Sequence, residues 1–187
     1  MPWSAMGVRV VFLVGFMGSG KNTVGQELAR RLGWDFIDLD AQTEQRERRT
    51  IPEIFRTKGE SAFRVAETAA LRDVLTNAPG RNRVVALGGG AFVEENNRAL
   101  LRDWPTVFLD APADELWRRC QRDGVERPLR KDRGQFSRLL AERLPFYHQA
   151  TATVETSGKE LPSICSEIER ALRLRAAPES LSRGESH

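Results

Sequence analysis

The 187 residues, 40% hydrophobic and 29% charged, have the balance of one globular domain large enough to bury a real core. A net charge of +3 is too mild for a nucleic-acid surface, no apolar run approaches the ~20 residues of a membrane helix, and residues 1–7 lack the basic and apolar regions of a signal peptide. The two cysteines, Cys120 and Cys165, lie far apart without metal-ligand spacing, so free thiols in the cytoplasm are expected.

Residues 8–14 form a nearly unbroken apolar run with β-branched members, which reads as a strand buried on both faces of a parallel sheet. Gly15, Gly18, Ser19 and Gly20 follow, then Lys21, Asn22 and Thr23, and after them Val24, Leu28 and Leu32 recur at helical spacing. Strand, glycine-rich turn, helix, with lysine directly after the last glycine, is the context of a phosphate-binding loop. Glycines let successive N–H groups point into one hollow, and the helix N-terminus adds partial positive charge. Lys21 then reaches the β- and γ-phosphates of a nucleotide. The pattern asks for Ser or Thr next, because that hydroxyl ligates Mg²⁺, and Asn22 stands there instead. An amide oxygen can ligate a hard cation, whereas Thr23 projects about 100° further round the helix and is a poorer ligand. The competing readings are a glycine-rich turn that binds nothing and a nucleotide site with impaired metal binding.

Gly33 is expected to close the first helix. Residues 34–40 are expected as a short strand that turns Asp38 and Asp40 to the same side, where paired acids can serve Mg²⁺ and a substrate hydroxyl. The competing reading makes Asp40 the N-cap of the next helix. Residues 41–49 read as a charged, solvated helix and 52–57 as a short helix that Pro52 opens and Lys58-Gly59 closes. A longer helix over 61–75 carries Phe63, Ala66, Ala70 and Leu71 near one face. Arg64 and Glu67, three apart, can pair, and Arg64 taken alone reads more readily as a helix-surface residue than as a ligand.

Residues 84–87 give a second fully apolar strand, and Gly88, Gly89 and Gly90 follow at once. Glycines at the C-terminal end of a strand permit close backbone approach where α/β proteins bind ligands, the alternative being a plain flexible turn. A helix over 94–102, a strand over 106–109 and a helix over 113–120 with Arg118 and Arg119 come next. Residues 121–134, which include Arg127, have no apolar period and read as a mobile cationic lid or a solvated loop. A helix over 136–148 holds Arg143 ahead of Pro145. A last strand over 151–156, an amphipathic helix over 162–174 and a disordered tail over 176–187 complete the chain. The alternation implies a single α/β domain over 1–175, with a parallel sheet covered by helices on both faces.

From about Val8 to about Leu174 the chain resembles the shikimate kinases. The likeness is carried by Gly15-Phe-Met-Gly-Ser-Gly-Lys21, Phe36-Ile-Asp-Leu-Asp40, Ile54-Phe55, Gly59-Glu60, Phe63-Arg64, Glu67, Leu87-Gly-Gly-Gly90, Arg127-Pro-Leu129 and Arg143-Leu-Pro-Phe-Tyr147. A phosphate-binding loop alone fits many families, whereas the whole series in this order is specific. The resemblance implies a P-loop kinase fold with a five-stranded parallel sheet ordered 2-3-1-4-5, and transfer of the γ-phosphoryl of ATP to the 3-hydroxyl of shikimate. It implies Mg²⁺ as cofactor, ATP and shikimate as partners, a monomer, and a step in aromatic amino-acid biosynthesis. By motif position, Asp40 orients or deprotonates the attacking hydroxyl, and Arg64 and Arg143 grip the substrate carboxylate. Gly88 to Gly90 close the pocket, and Phe55 and Phe63 line it. Asp38 helps place Mg²⁺ through water, Arg127 on the lid reaches phosphate and substrate, and Arg119 with the region of Pro162 sandwiches adenine. Asn22 departs from the family pattern, so a binding protein without turnover stands as one alternative. A kinase of another small molecule such as gluconate stands as another.

Overall fold

The computed structural model describes residues 8–78, 80–122 and 132–174. Arg127, the middle of the expected lid and the expected tail lie outside the described residues. Five strands form one parallel sheet: β1 (Val10–Val14), β2 (Asp35–Asp38), β3 (Arg83–Ala86), β4 (Thr106–Asp110) and β5 (Ala152–Glu155). Their spatial order is β2-β3-β1-β4-β5, as the resemblance implies. The described helices are α1 (Lys21–Leu32), α2 (Leu39–Glu47), α3 (Ile51–Thr76), α4 (Glu95–Leu100), α5 (Ala113–Arg122), α6 (Arg133–Tyr147) and α7 (Leu161–Leu172), with a 3₁₀ turn at Ala91–Val93.

The central strand shows why the sheet has two covered faces. Val10, Phe12 and Val14 of β1 pack with Leu71 and Val74 of α3, Phe108 of β4 and Tyr147 of α6. Val11 and Leu13 face the other way, into Val24, Leu28 and Leu32 of α1 and Ile164 and Ile168 of α7. Period-two alternation therefore feeds two cores from one strand, and every β1 side chain is removed from water. Burying each such side chain is worth about 1.5–3 kcal/mol.

Local signals set most boundaries. Gly33 adopts a left-handed conformation (φ 65°) and ends α1, with Trp34 N–H donating to the Ala29 carbonyl at 2.9 Å. Thr50 and Glu53 form a capping box at the start of α3, with Pro52 in its first turn. The two helices expected over 52–57 and 61–75 are the halves of α3, joined at Gly59, which is non-helical (φ 79°, ψ 175°).

Two expectations need correction. The strand expected over 34–40 ends at Asp38, and Asp40 lies in the first turn of α2. The N-cap is Asp38, whose Oδ1 accepts from the Asp40 N–H at 3.0 Å. A capping carboxylate satisfies an orphan helix donor, and that outweighs two more residues of edge strand. The other correction concerns the lid expected over 121–134, whose ends are helical. α5 runs to Arg122, and α6 starts at Arg133 under an Asp132 cap that accepts from Gly134 N–H at 2.7 Å and Gln135 N–H at 3.1 Å.

α1 lies close on β2 because Gly25 has no side chain. A Cβ there would sit 2.4 Å from Phe36 Cε2 and 3.3 Å from Leu13 Cδ1. Gly25→Ala is therefore expected to lose about 1–3 kcal/mol by overpacking. Thermal denaturation checks this, and an unchanged midpoint would mean that Phe36 gives way at no cost.

Candidate active site

The C-terminal ends of β1, β2 and β3 meet around a cavity of about 410 Å³, lined by residues 17–24 together with Asp38, Asp40, Leu87, Gly88 and Gly89. Arg119, Thr156 and Lys159 line its other side. A wider hollow of about 740 Å³ opens at Asp35, Arg81 and Arg83, where β2 and β3 begin. Ligands of parallel sheets bind beyond the carboxyl ends of the strands, so the smaller cavity is the candidate site.

The loop after β1 holds itself open by its backbone. Gly18 is left-handed (φ 78°), and a Cβ there would lie 2.7 Å from the Leu116 carbonyl oxygen. Gly20, also left-handed (φ 84°), is the N-cap of α1 and supplies no side-chain cap. The first N–H groups of α1 thus face the loop as donors for an anion. Lys21 Nζ donates to the carbonyls of Gly15 at 2.9 Å and Phe16 at 3.0 Å, and to Ser19 Oγ at 3.4 Å. The ammonium therefore lies within the curve of the loop. Asn22 Nδ2 donates to Asp38 Oδ2 at 2.7 Å. Thr23 also lines the cavity.

The turn after β3 seats a cluster of charge. A Cβ on Gly88 would lie 2.5 Å from Asp40 Oδ1 and 2.7 Å from Glu67 Oε1. A Cβ on Gly90 would lie 2.5 Å from Arg64 Nη2, and one on Gly89 would lie 3.8 Å from Arg143 Nη1 and from the Gly15 carbonyl oxygen. The absent side chains of Gly88 and Gly90 are what let Asp40, Glu67 and Arg64 close on the turn, whereas a Cβ on Gly89 would make only ordinary contact with Arg143. Arg64 and Arg143 thus lie on the same side of the molecule as the lysine loop. Arg143 stands 5.7 Å over the Phe16 ring, and Arg64 stands 5.0 Å over Phe63. Phe63 is buried and packs at 4.8 Å on Phe55, which remains exposed.

Glu67 was legible as a helix partner of Arg64 and as a member of the motif series, with no role of its own. Its Oε2 accepts from Arg64 Nη1 at 2.8 Å, whereas its Oε1 is buried without a hydrogen bond. Burial raises its pKa to about 7, against the pull of Arg64 and with help from the Asp40 and Glu94 carboxylates. Burial opposes the charge of Arg64 too, but Glu67 and Glu60 hold its pKa above the ordinary value. Tyr147 is a second residue whose role the sequence hid. Its hydroxyl donates to the Gly89 carbonyl, its ring stacks on Phe108 at 5.3 Å, and burial raises its pKa to about 12. It pins the glycine turn from beneath.

The two residues expected around adenine separate. Arg119 Nη1 donates to Thr156 Oγ1 at 3.0 Å on the cavity wall. Pro162 is not part of that wall. Its neighbours Leu161 and Ile164 line it instead, while the Pro162 carbonyl accepts from Arg31 Nη1 at 3.0 Å. Among the described residues no group of three or more His, Cys, Asp or Glu could hold a metal ion. Among them, too, no helix is long and apolar enough to cross a membrane.

Comparison with known proteins gives this geometry its family. Residues 17–173 match the sequence model of shikimate kinase. The chain is 40% identical over 162 residues to the shikimate kinase of Persephonella marina, covering 86% of this chain and 97% of that one. It is 41% identical over 181 residues to that of Rhodopseudomonas palustris, covering 94% and 87%. The structure of shikimate kinase from Acinetobacter baumannii in complex with shikimate superposes with a TM-score of 0.80 at 34% identity, covering 89% of this chain and 94% of that one. A gluconokinase from Sinorhizobium meliloti, at 22% identity and a TM-score of 0.59 over 88% and 91% of the two chains, shares the fold alone. With the motif match running almost from the phosphate-binding loop to the end of α7, this chain belongs to the shikimate kinase family.

Proposed function

We propose that this protein transfers the γ-phosphoryl group of ATP to the 3-hydroxyl of shikimate, giving ADP and shikimate 3-phosphate. The observation that carries the reading is the position of Gly89, which has both the phosphate-binding loop, at Gly15 and Met17, and the Arg143 guanidinium beside it. That turn is a floor on which a triphosphate tail and a small carboxylate-bearing alcohol meet end to end. Lys21 and the α1 N-terminus take the phosphates, and Arg119 takes the base side of the cavity. Arg64 and Arg143 take the substrate carboxylate, since guanidinium forks match it. Asp40, in the first turn of α2, orients the attacking hydroxyl and accepts its proton. Arg127, outside the described residues, is assigned to phosphate and substrate by motif alone. The transition state of phosphoryl transfer is loose, so alignment and charge neutralisation outweigh base strength.

The donor set fits Mg²⁺ held chiefly by nucleotide phosphates, with Asn22 as an oxygen ligand and Asp38 through water. When bound, the cation neutralises charge on the transferring phosphates. Asp38 keeps acceptor capacity for a water, because each carboxylate oxygen carries two lone pairs and accepts here from one donor, Asn22 Nδ2 or the Asp40 N–H. Free buried thiols at Cys120 and Cys165 support a cytoplasmic location.

ADP release with Mg²⁺-ATP and a panel of shikimate, gluconate and AMP tests the reading. Turnover with shikimate alone is expected. Turnover with gluconate and none with shikimate would replace the substrate, and shikimate binding without any turnover would make this a binding protein.

A further inference from the structure

We propose that Asn22 acts with two ends: its amide N–H group anchors Asp38, and its amide oxygen ligates the cation of a bound nucleotide, so that cation site and acceptor site are linked through one side chain. The inference rests on reading the loop before α1 as an ATP site. It concerns the residue at which this chain departs from the Ser or Thr its motif calls for.

The contacts run in series. Asn22, in the first turn of α1, donates to Asp38 Oδ2 at 2.7 Å. The other oxygen of Asp38 accepts from the Asp40 N–H at 3.0 Å and caps α2. Asp40 Oδ1 in turn lies against Gly88. Two short links therefore join the helix that receives phosphates to the residue whose carboxylate is assigned to the acceptor hydroxyl. A hydroxyl at residue 22 would have to donate and ligate from a single oxygen. The amide splits the two tasks between Nδ2 and Oδ1, one bond further from the backbone. The cation is then displaced from the hydroxyl position, and its direct ligand becomes a neutral carbonyl oxygen. Such oxygens serve larger cations of tolerant geometry well, whereas Mg²⁺ holds to a tight octahedron. No carboxylate cluster among the described residues offers the cation another seat.

Two binding measurements, neither needing turnover, test the proposal on the full chain. The first is calorimetric affinity for ADP without metal, with Mg²⁺ and with Mn²⁺. The protein as it stands should gain more ADP affinity from Mn²⁺ than from Mg²⁺. Asn22→Ser should narrow that preference, and Asn22→Ala should lower the gain from either cation about tenfold while metal-free ADP affinity stays within about twofold. An unchanged metal gain in Asn22→Ala would overturn the ligand assignment. The second is shikimate affinity with neither nucleotide nor metal present. Asn22→Ala and Asn22→Asp should both weaken it about three- to tenfold, as expected for one lost hydrogen bond acting through Asp38. Asn22→Asp keeps an oxygen ligand but sets a carboxylate against Asp38. A residue that only ligates a cation would leave this second affinity unmoved, and that result would overturn the linkage. Asn22 is exposed, so its variants should fold, and thermal midpoints check this. Failure of the unaltered protein to bind ADP or shikimate would instead defeat the functional reading beneath.

Discussion

Lys21→Ala should lower kcat by about 10²–10³-fold, the usual loss when one preorganised charge or donor is removed from a transition state. Hydrogen bonds at 2.9 and 3.0 Å to carbonyl oxygens and 3.4 Å to Ser19 Oγ help hold this ammonium inside the loop. A phosphate entering the loop exchanges these for bonds of opposite charge, which strengthen as negative charge shifts towards the leaving oxygen. The loss should appear in kcat more than in KM for shikimate. Arg127→Ala and Asp40→Ala belong in the same experiment. Lys21 and Arg127 should each matter at least as much for rate as Asp40. Should Asp40→Ala alone slow the transfer, general-base catalysis would dominate and charge neutralisation would be secondary. Thermal midpoints separate rate from stability, because Lys21 also ties Gly15 and Phe16 to the start of α1.

Glu67→Ala should raise KM for shikimate about 10- to 100-fold and destabilise the protein by about 3 kcal/mol, the low end for breaking a buried ion pair by removing one partner. Arg64 then keeps only the more distant carboxylates of Glu60 at 3.2 Å and Glu94 at 3.9 Å, and swings away from Gly90. Glu67→Gln should behave differently. It retains volume and an acceptor for Arg64, so KM should rise less. It also removes a titration. The folded pKa of Glu67, about 7, lies above its ordinary 4.5, so folding takes up a proton between these values. The corresponding stability is fully present below pH 4.5 and is lost as pH rises through 7. The charged groups around it are Arg64, Asp40 and Glu94. Denaturant midpoints should therefore fall from pH 4.5 to 7 in the unaltered protein and fall less in Glu67→Gln. Parallel curves would mean that Glu67 is ionised in the folded protein throughout.

What the sequence made legible was what neighbours in sequence decide. The apolar run of β1, the glycines before Lys21 and the Gly33 stop act within a turn or two, and the structure places each where expected. Asp40 was placed in a strand because period-two spacing and cap chemistry competed over four residues, and the cap won at Asp38. Glu67 was visible as an i,i+3 partner of Arg64. Its burial depends on Gly88, which lies far along the chain and supplies no side chain to fill the space. The Tyr147 hydroxyl bonds a carbonyl 58 positions away, and no local pattern encodes that contact. Arg119 and the region of Pro162 were both named, and the cavity wall holds Arg119, Leu161 and Ile164 but not Pro162, because a helix's first turn was legible but not which of its residues faces the cavity.

The ladder between β2 and β3 carries a last consequence. Asp38 pairs with Ala86, and Ala86 pairs with Leu13, so one transverse row fixes where three chains leave the sheet. Two steps beyond that row stand Asp40, Gly88 and Gly15. A slip of β2 by a single residue would carry Asp38 to the other face and shift the start of α2, with Asp40, along the sheet edge. Yet β2 is one of the two edge strands, four residues long and bonded on one flank only. Its fraying would disarm the enzyme while the central strands stay intact, so in rising urea inactivation should run ahead of the loss of ellipticity.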